Sequence, residues 1–282
     1  MGQLLLGLIG WPISHTASPA MMNQAFAVTG KDAVYLPFAV SPSTLSTALD
    51  GLAALGALGI NVTIPHKTGA FNWVPLHTDE AKLAGAVNTI RFDREGKHIG
   101  HNTDVMGWWA SIAPYFTDDI TRVTILGAGG AALAIAAALT LYRPRVQLEV
   151  VARHSENRNH LHSRFSSSLE MHIFDWALRD EIVRNSQLVI NTTPIGMWPN
   201  TMDSPITDGT VFHRGQIVQD IVYRPLETRF MKLAKENGAT VVDGLSMLVG
   251  QGISAYEWWF VEPAPKEVMN NAAKQFVLDK TL

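Results

Sequence analysis

Val123-Thr124-Ile125-Leu126-Gly127-Ala128-Gly129-Gly130-Ala131-Ala132 is the stretch on which the fold turns. A β-branched, apolar run leads without a gap into glycines, and an alanine-rich run to Leu141 follows. Gly127, Gly129 and Ala132 match the pattern G-x-G-x-x-G/A at the end of a strand and the mouth of a helix. The first glycine permits a tight turn, the second lets backbone amides approach a pyrophosphate, and the small third residue allows close helix–strand contact. The helix N-terminus adds partial positive charge for the phosphates. A glycine turn between a core strand and a core helix is the competing reading. Strand and helix both in place favour a dinucleotide site, with Ala128, Gly130 and Ala131 sharing the phosphate turn.

Outward from this turn, strand-like and helix-like segments alternate. Arg122–Leu126, Gln147–Val151, Leu188–Asn191 and Gln216–Ile221 read as strands, and Gly130–Leu141 and Glu227–Asn237 as helices. Upstream, Leu4–Ile9, Ala33–Ala39, Gly59–Ile64, Val87–Phe92 and Lys97–Gly100 read as strands, with helices at Pro42–Leu55, capped by Ser41, and at Asp104–Tyr115. The Asp93–Gly96 turn predicts an antiparallel hairpin at one edge of an otherwise parallel sheet. After Asp243 the pattern is helical only, through Leu245–Phe260 and Lys266–Asp279. The expected fold class is α/β. An N-terminal open α/β domain (residues 1–103) precedes a Rossmann-like doubly wound domain (104–242), and C-terminal helices (243–282) pack back on the first domain.

Composition bounds the function. The 282 residues exceed what one core usually supports, and 47% of them are hydrophobic. A net charge of −3 with mixed signs gives no basic cluster for a nucleic acid, so a small-molecule ligand is expected. The absence of cysteine excludes disulfides and thiolate chemistry and suits a reducing cytoplasm. The apolar run Ala131–Tyr142 falls short of the ~20 residues a membrane span needs. Ten scattered histidines form no H-x-x-x-H pair near a carboxylate cluster, so no metal is expected. A homodimer is compatible with the sequence but not required by it.

Cofactor choice is read at the end of the strand after the glycine turn. There the chain reads Ala152-Arg153-His154-Ser155, with Arg153 about 20 to 25 residues beyond the glycines. An NAD site usually places an acid here, whereas a guanidinium suits a 2′-phosphate. NADP is the favoured cofactor. Arg153 as a solvated surface residue is the competing reading.

Three polar clusters in the first domain fall at predicted strand ends. Gly10-Trp11-Pro12-Ile13-Ser14-His15-Thr16-Ala17-Ser18-Pro19 is a hydroxyl-rich turn before a helix that Ser18 would cap. Asn61-Val62-Thr63-Ile64-Pro65-His66-Lys67 brings a lysine into the first turn of a helix, where the dipole disfavours a structural cation. The same field favours the neutral amine and suits a proton donor and acceptor, while a nearby carboxylate would oppose it. Asn88 interrupts an apolar strand, an awkward place for an amide without a partner. Asp104 follows Gly100-His101-Asn102-Thr103 in the first turn of its helix. Separately, these residues identify no enzyme.

Together they resemble the shikimate dehydrogenase family, which includes shikimate and quinate dehydrogenases. The likeness runs in order through Gly10–Pro19, Asn61–Lys67, Gly85–Thr89, Asn102–Gly107, Gly127–Ala132, Asn191–Met197, Asp220–Pro225 and Gly244–Trp258. The resemblance implies reversible NADPH-dependent reduction of 3-dehydroshikimate to shikimate, in the chorismate and aromatic amino-acid pathway. It implies Lys67 and Asp104 as the catalytic pair in a cleft between the domains, without deciding which of them moves the proton. Thr16 and Ser18 are implied as ligands of the substrate carboxylate. Thr63, Asn88, Tyr223 and Gln251 are implied as ligands of ring hydroxyls or as pocket lining. Asn191 and Thr192 join the glycine turn and Arg153 at the cofactor, and Gly244 and Met247 approach the nicotinamide. Tyr223 and Met247 read equally well as packing residues, Gln251 as a surface amide and Thr63 as a strand residue.

Two departures bear on specificity. The carboxylate turn usually reads His-Ser-x-Ser, and here it is His15-Thr16-Ala17-Ser18. The cofactor loop usually reads Asn-Arg-Thr with a second arginine soon after. Here it is Ala152-Arg153-His154, with Asn157 near the second arginine's place and Arg158 beside it. The rival readings are a quinate or dual quinate/shikimate dehydrogenase using NAD, and a non-catalytic ligand sensor on the same fold.

Overall fold

The computed structural model describes residues 2–13 and 16–279. It divides into two compact units. Unit 1 takes the described residues up to Gly107 and those from Val249 onward, and unit 2 is Trp108–Leu248. The chain passes between them inside two helices, α5 (Thr103–Ile112) and α10 (Gly244–Phe260).

Unit 1 holds strands β1 (Leu4–Gly10), β2 (Ala33–Ala39), β3 (Gly59–Val62), β4 (Leu76–His77), β5 (Thr89–Arg91) and β6 (Ile99–His101). Its helices are α1 (Ser18–Val28), α2 (Leu45–Ala54), α3 (Lys67–Trp73), α4 (Asp79–Ala84), the start of α5, most of α10, and α11 (Lys266–Asp279). The sheet order is β2-β1-β3-β5-β6-β4. The expected hairpin is present, since β5 and β6 pair antiparallel, but it is not the edge. β5 also runs antiparallel to β3, and the two-residue β4 forms the edge beyond β6. So short a strand carries too little periodicity to be read from sequence.

That inverted strand has a consequence for position. The N-terminal end of β5 lies along the same sheet edge as the C-terminal ends of β3 and β6, because Asn61, Thr89 and His101 are in register. Residues just after β3, just before β5 and just after β6 therefore gather at one place.

Unit 2 contains β7 (Arg122–Leu126), β8 (Gln147–Ala152), β9 (Glu170–Asp175), β10 (Leu188–Asn191), β11 (Ile217–Asp220) and β12 (Thr240–Val242). Its helices are α6 (Gly130–Tyr142), α7 (Ser155–Phe165), α8 (Arg179–Arg184) and α9 (Arg229–Glu236). All neighbouring strands pair parallel, in the order β12-β11-β10-β7-β8-β9. The order reverses between β7 and β10, the point where doubly wound sheets bind ligands. The edge strands β9 and β12 had no counterpart among the expected strands. β9 is only half covered and β12 is three residues long, so neither shows the apolar run of a central strand.

The C-terminal helices pack on unit 1, as the sequence implies. α11 packs along α1. The buried Trp259 of α10 donates its indole N–H to the carbonyl of Ile90 at 3.0 Å. Two cap expectations need correction. Ser18 is the first residue of α1, and Ala17 stands at the cap position with no side-chain hydrogen bond. Ser41 precedes a short 3₁₀ turn, where its hydroxyl bonds Ser43 and Thr44 rather than a helix N–H. Among the described residues no helix is long and apolar enough to cross a membrane.

Candidate active site

Lys67 is the first residue of α3, directly after the Thr63–His66 turn. His66 anchors that turn, being buried with its Nε2 2.7 Å from the carbonyl of Val40. Asp104 lies in the first turn of α5, its N–H held at 3.1 Å by the Asn102 side-chain oxygen. Asn102 is fixed in turn by donating to the carbonyl of Ala86 at 2.9 Å. These anchors bring the Lys67 Nζ within 2.5 Å of Asp104 Oδ2, with side chains only 14% and 8% exposed. Val87 N–H donates to the Lys67 carbonyl at 3.0 Å, which ties the lysine to the segment carrying Asn88.

Asn88 is buried and well supplied with partners. Its side-chain oxygen accepts the N–H of Thr103 at 2.8 Å and the Thr89 hydroxyl at 3.0 Å. Its amide nitrogen lies 3.0 Å from Thr103 Oγ1. Thr16 and Ser18 bring their hydroxyls within 3.2 Å of each other at the start of α1. Ser14 and His15 of the same turn lie outside the described residues. Thr63 packs its methyl against Gly10, and its N–H donates to the carbonyl of Ile9 at 2.9 Å. Gln251 sits where α5 and α10 cross. A Cβ on Gly107 would lie 2.5 Å from the backbone N of Gln251, so only glycine permits this approach, one turn beyond Asp104. Tyr223, Gly244 and Met247 belong to unit 2. Met247 is buried, and a Cβ on Gly244 would lie 2.6 Å from the carbonyl oxygen of Val222, a contact that only the absence of a side chain allows.

In unit 2 the glycine turn follows β7 at the switch point. Gly127 has φ +114°, and a Cβ there would come within 2.5 Å of Thr192 Oγ1. Thr192 donates that hydroxyl to the carbonyl of Leu126 at 2.9 Å, which clamps the turn. Gly129 caps α6 with no side-chain hydrogen bond, and a Cβ built on it meets nothing within 4 Å. The space beside Gly129 is open, at a helix N-terminus whose free first-turn amides suit a pyrophosphate. Ala132 is fully buried, as its small size permits.

Asn191, at the end of β10, shapes the loop that follows it. It is fully buried and donates to Asp220 Oδ1 at 3.0 Å and to the carbonyl of Ile195 at 3.4 Å. Its oxygen accepts the N–H and hydroxyl of Thr193 at 3.0 and 2.6 Å, so its amide is spent on shaping the loop. Asp220 is the first residue of the Asp220–Pro225 stretch. It is a fully buried carboxyl held by Asn191, by the N–H of Val222 at 3.0 Å and by the Thr228 hydroxyl at 2.7 Å. Burial pushes its pKa up to about 7, against the opposing pull of those three donors.

At the end of β8, Arg153 is exposed and stacks 6.0 Å from the Trp176 ring. Arg158 is committed elsewhere, to the carbonyl of Ala152 and to Asp175 Oδ2 at 3.2 Å. The Ala177 N–H, and secondarily Arg158, hold the Asp175 carboxyl below its usual range. Arg158 is thereby tied to β9 and the end of β8, whereas Arg153 is exposed.

The geometry defines a two-unit α/β protein, with a Rossmann-like unit open at its glycine turn and a second unit carrying a buried lysine–aspartate pair. Residues 8–90 match the model of the shikimate dehydrogenase substrate binding domain, and residues 244–274 that of the shikimate 5′-dehydrogenase C-terminal domain. A shikimate dehydrogenase (NADP(+)) from Crocosphaera subtropica is 40% identical over 278 residues, covering 96% of each chain. A crystal structure of shikimate dehydrogenase in complex with NADP+ superposes with a TM-score of 0.88 at 35% identity, covering 99% of this chain and 96% of that one. Quinate dehydrogenase from Corynebacterium glutamicum in complex with NAD also reaches 0.88, at 27% identity, covering 98% of this chain and 100% of that one. The chain belongs to the shikimate dehydrogenase family.

Proposed function

We propose that the chain catalyses the reversible, NADP-linked interconversion of shikimate and 3-dehydroshikimate. The observation that carries the reading is the Lys67–Asp104 contact of 2.5 Å, made by two nearly buried side chains from distant segments. A buried ion pair gains little stability over apolar residues of the same volume, so its position at a strand-end edge argues for a chemical role. When bound, NADPH supplies the hydride for the ring carbonyl.

The developing alkoxide takes a proton from the Lys67–Asp104 pair, and in the reverse direction the pair removes the hydroxyl proton. Asp104 holds the ammonium in place and accepts a hydrogen bond from a substrate hydroxyl. Thr16 and Ser18 offer their hydroxyls to the substrate carboxylate. Thr63, Asn88, Gln251 and Tyr223 contact or line the ring's surroundings. Residues 127–131 hold the pyrophosphate, and Asn191 and Thr192 adjoin the cofactor on the loop after β10, where Thr192 also clamps the glycine turn. Gly244 and Met247 adjoin the nicotinamide. The exposed Arg153 guanidinium selects the 2′-phosphate by charge and by its forked donors.

Initial rates with shikimate and with quinate, each with NADP and with NAD, test the assignment. The shikimate–NADP combination is expected to have the highest kcat/KM. A preference for quinate with NAD would replace the reading with the quinate one, and no turnover in any combination would leave the ligand-sensor reading.

A further inference from the structure

Beneath the edge where Asn88 sits, unit 1 buries a chain of polar side chains that the reaction does not touch. Tyr35 donates its hydroxyl to Asn61 Oδ1 at 2.6 Å. Asn61 Nδ2 reaches the carbonyl of Asn88 at 3.2 Å and the Thr89 hydroxyl at 2.9 Å. The Thr89 hydroxyl donates to Asn88 Oδ1 at 3.0 Å. Tyr35 and Thr89 have no exposed surface, and Asn61 and Asn88 are nearly as buried.

The orientation of both amides in this chain follows from groups that can act in only one way. A carbonyl can only accept, so the Asn61 atom facing the Asn88 carbonyl is its nitrogen, and its oxygen must face Tyr35. Burial pushes the Tyr35 phenol pKa well above its ordinary value, so the phenol remains a donor. Thr89 accepts from Asn61 and has one proton left, which faces Asn88 Oδ1 at 3.0 Å and, at the longer distance of 3.2 Å, Thr103 Oγ1. At the other end the Thr103 backbone N–H can only donate, and it too points at Asn88 Oδ1, from 2.8 Å. The Asn88 oxygen is thereby saturated, its nitrogen gives one proton to Thr103 Oγ1 at 3.0 Å, and one N–H is left.

We infer that Tyr35, Asn61 and Thr89 are positioning residues that, together with the Thr103 N–H, hold the Asn88 amide so that it meets the substrate only as a hydrogen-bond donor. The group it reads is then an oxygen lone pair, a ring hydroxyl or carbonyl acting as acceptor. The inference rests on the proposed role of Asn88 as a substrate ligand. It adds polarity to that contact and names the residues that set it.

The test is steady-state kinetics on the full chain with shikimate and NADP. Thr89→Val removes the hydroxyl at nearly constant volume and loosens the amide, which keeps only the Thr103 contacts. KM for shikimate is expected to rise by roughly tenfold, the worth of one buried hydrogen bond, with KM for NADP unchanged and kcat within about threefold. Thr89→Ser should restore the wild-type KM. Tyr35→Phe, which alters only the far end, should raise the same KM in the same sense. In an Asn88→Ala background, Thr89→Val should add nothing, because there is no amide left to orient. If Asn88→Ala itself leaves KM for shikimate unchanged, the substrate-ligand reading of Asn88 fails and the inference with it. If Asn88→Ala raises KM but Thr89→Val and Tyr35→Phe do not, or Thr89→Val raises it equally in the Asn88→Ala background, the orienting role alone is overturned.

Discussion

Replacing Asp220 with asparagine should change how the stability of unit 2 depends on pH. The Asp220 carboxyl is fully buried and titrates at about 7, against 3.8 for an ordinary aspartate. In the unfolded chain it ionises near the lower value, so between the two the native state holds a proton the unfolded state has lost. Stability must therefore fall as pH rises through this window, by up to about 1.4 kcal/mol per pH unit. The whole window of about three units makes a penalty on the order of 4 kcal/mol, fully developed above pH 7 and absent below about 4. Asparagine keeps an oxygen for Asn191 and Val222 and turns an N–H toward the Thr228 hydroxyl, which accepts instead of donating. It has no charge to bury. Hydrogen exchange of the β10 and β11 amides, corrected for intrinsic rates, reads the local opening free energy in both proteins. Between pH 5 and 8 the variant should gain about 2–3 kcal/mol relative to wild type, most of it below pH 7. Parallel stability curves across that range would refute the reasoning.

Further outcomes follow from the same geometry. Lys67→Ala should lower kcat by roughly 10²–10⁴-fold while calorimetry finds NADP affinity unchanged, and near-normal turnover would remove the lysine from the mechanism. Arg153→Gln should raise KM for NADP by about 10–100-fold, the worth of a charge-assisted hydrogen bond or two, and leave KM for NAD alone. Gly107→Ala should destabilise the α5–α10 crossing by about 1–3 kcal/mol in thermal melts, because the new methyl meets backbone of Gln251 that cannot turn aside.

What the sequence made legible depended on burial. The strands β1, β8 and β10 are largely apolar runs, and β7 with its glycines announces the switch point. The edge strands β4, β9 and β12 are short or half-wet, so their apolar signal is weak. The same weakness moved the β5–β6 hairpin to an edge it does not occupy. Lys67 and Asp104 stood out by motif, and Asn88 by its awkward position. The network behind Asn88 was not legible, because Thr89 and Tyr35 look like ordinary strand residues until register sets a hydroxyl opposite an amide. The fate of Arg158 was hidden for a similar reason. Only the neighbouring β9 shows that Asp175 and the end of β8 claim it.

Unit 1 is built from the two ends of the chain, with unit 2 inserted between them. On the ribosome, all of Trp108–Leu248 is synthesised before the helix that pairs with α1 exists. Unit 2 can complete its sheet while the first strands still lack Trp259 on Ile90, Tyr256 on Thr29 and Glu262 on Lys31. The half of the protein that begins first is thus the half that finishes last, and during that interval its uncovered apolar surface is what a nascent-chain chaperone would meet.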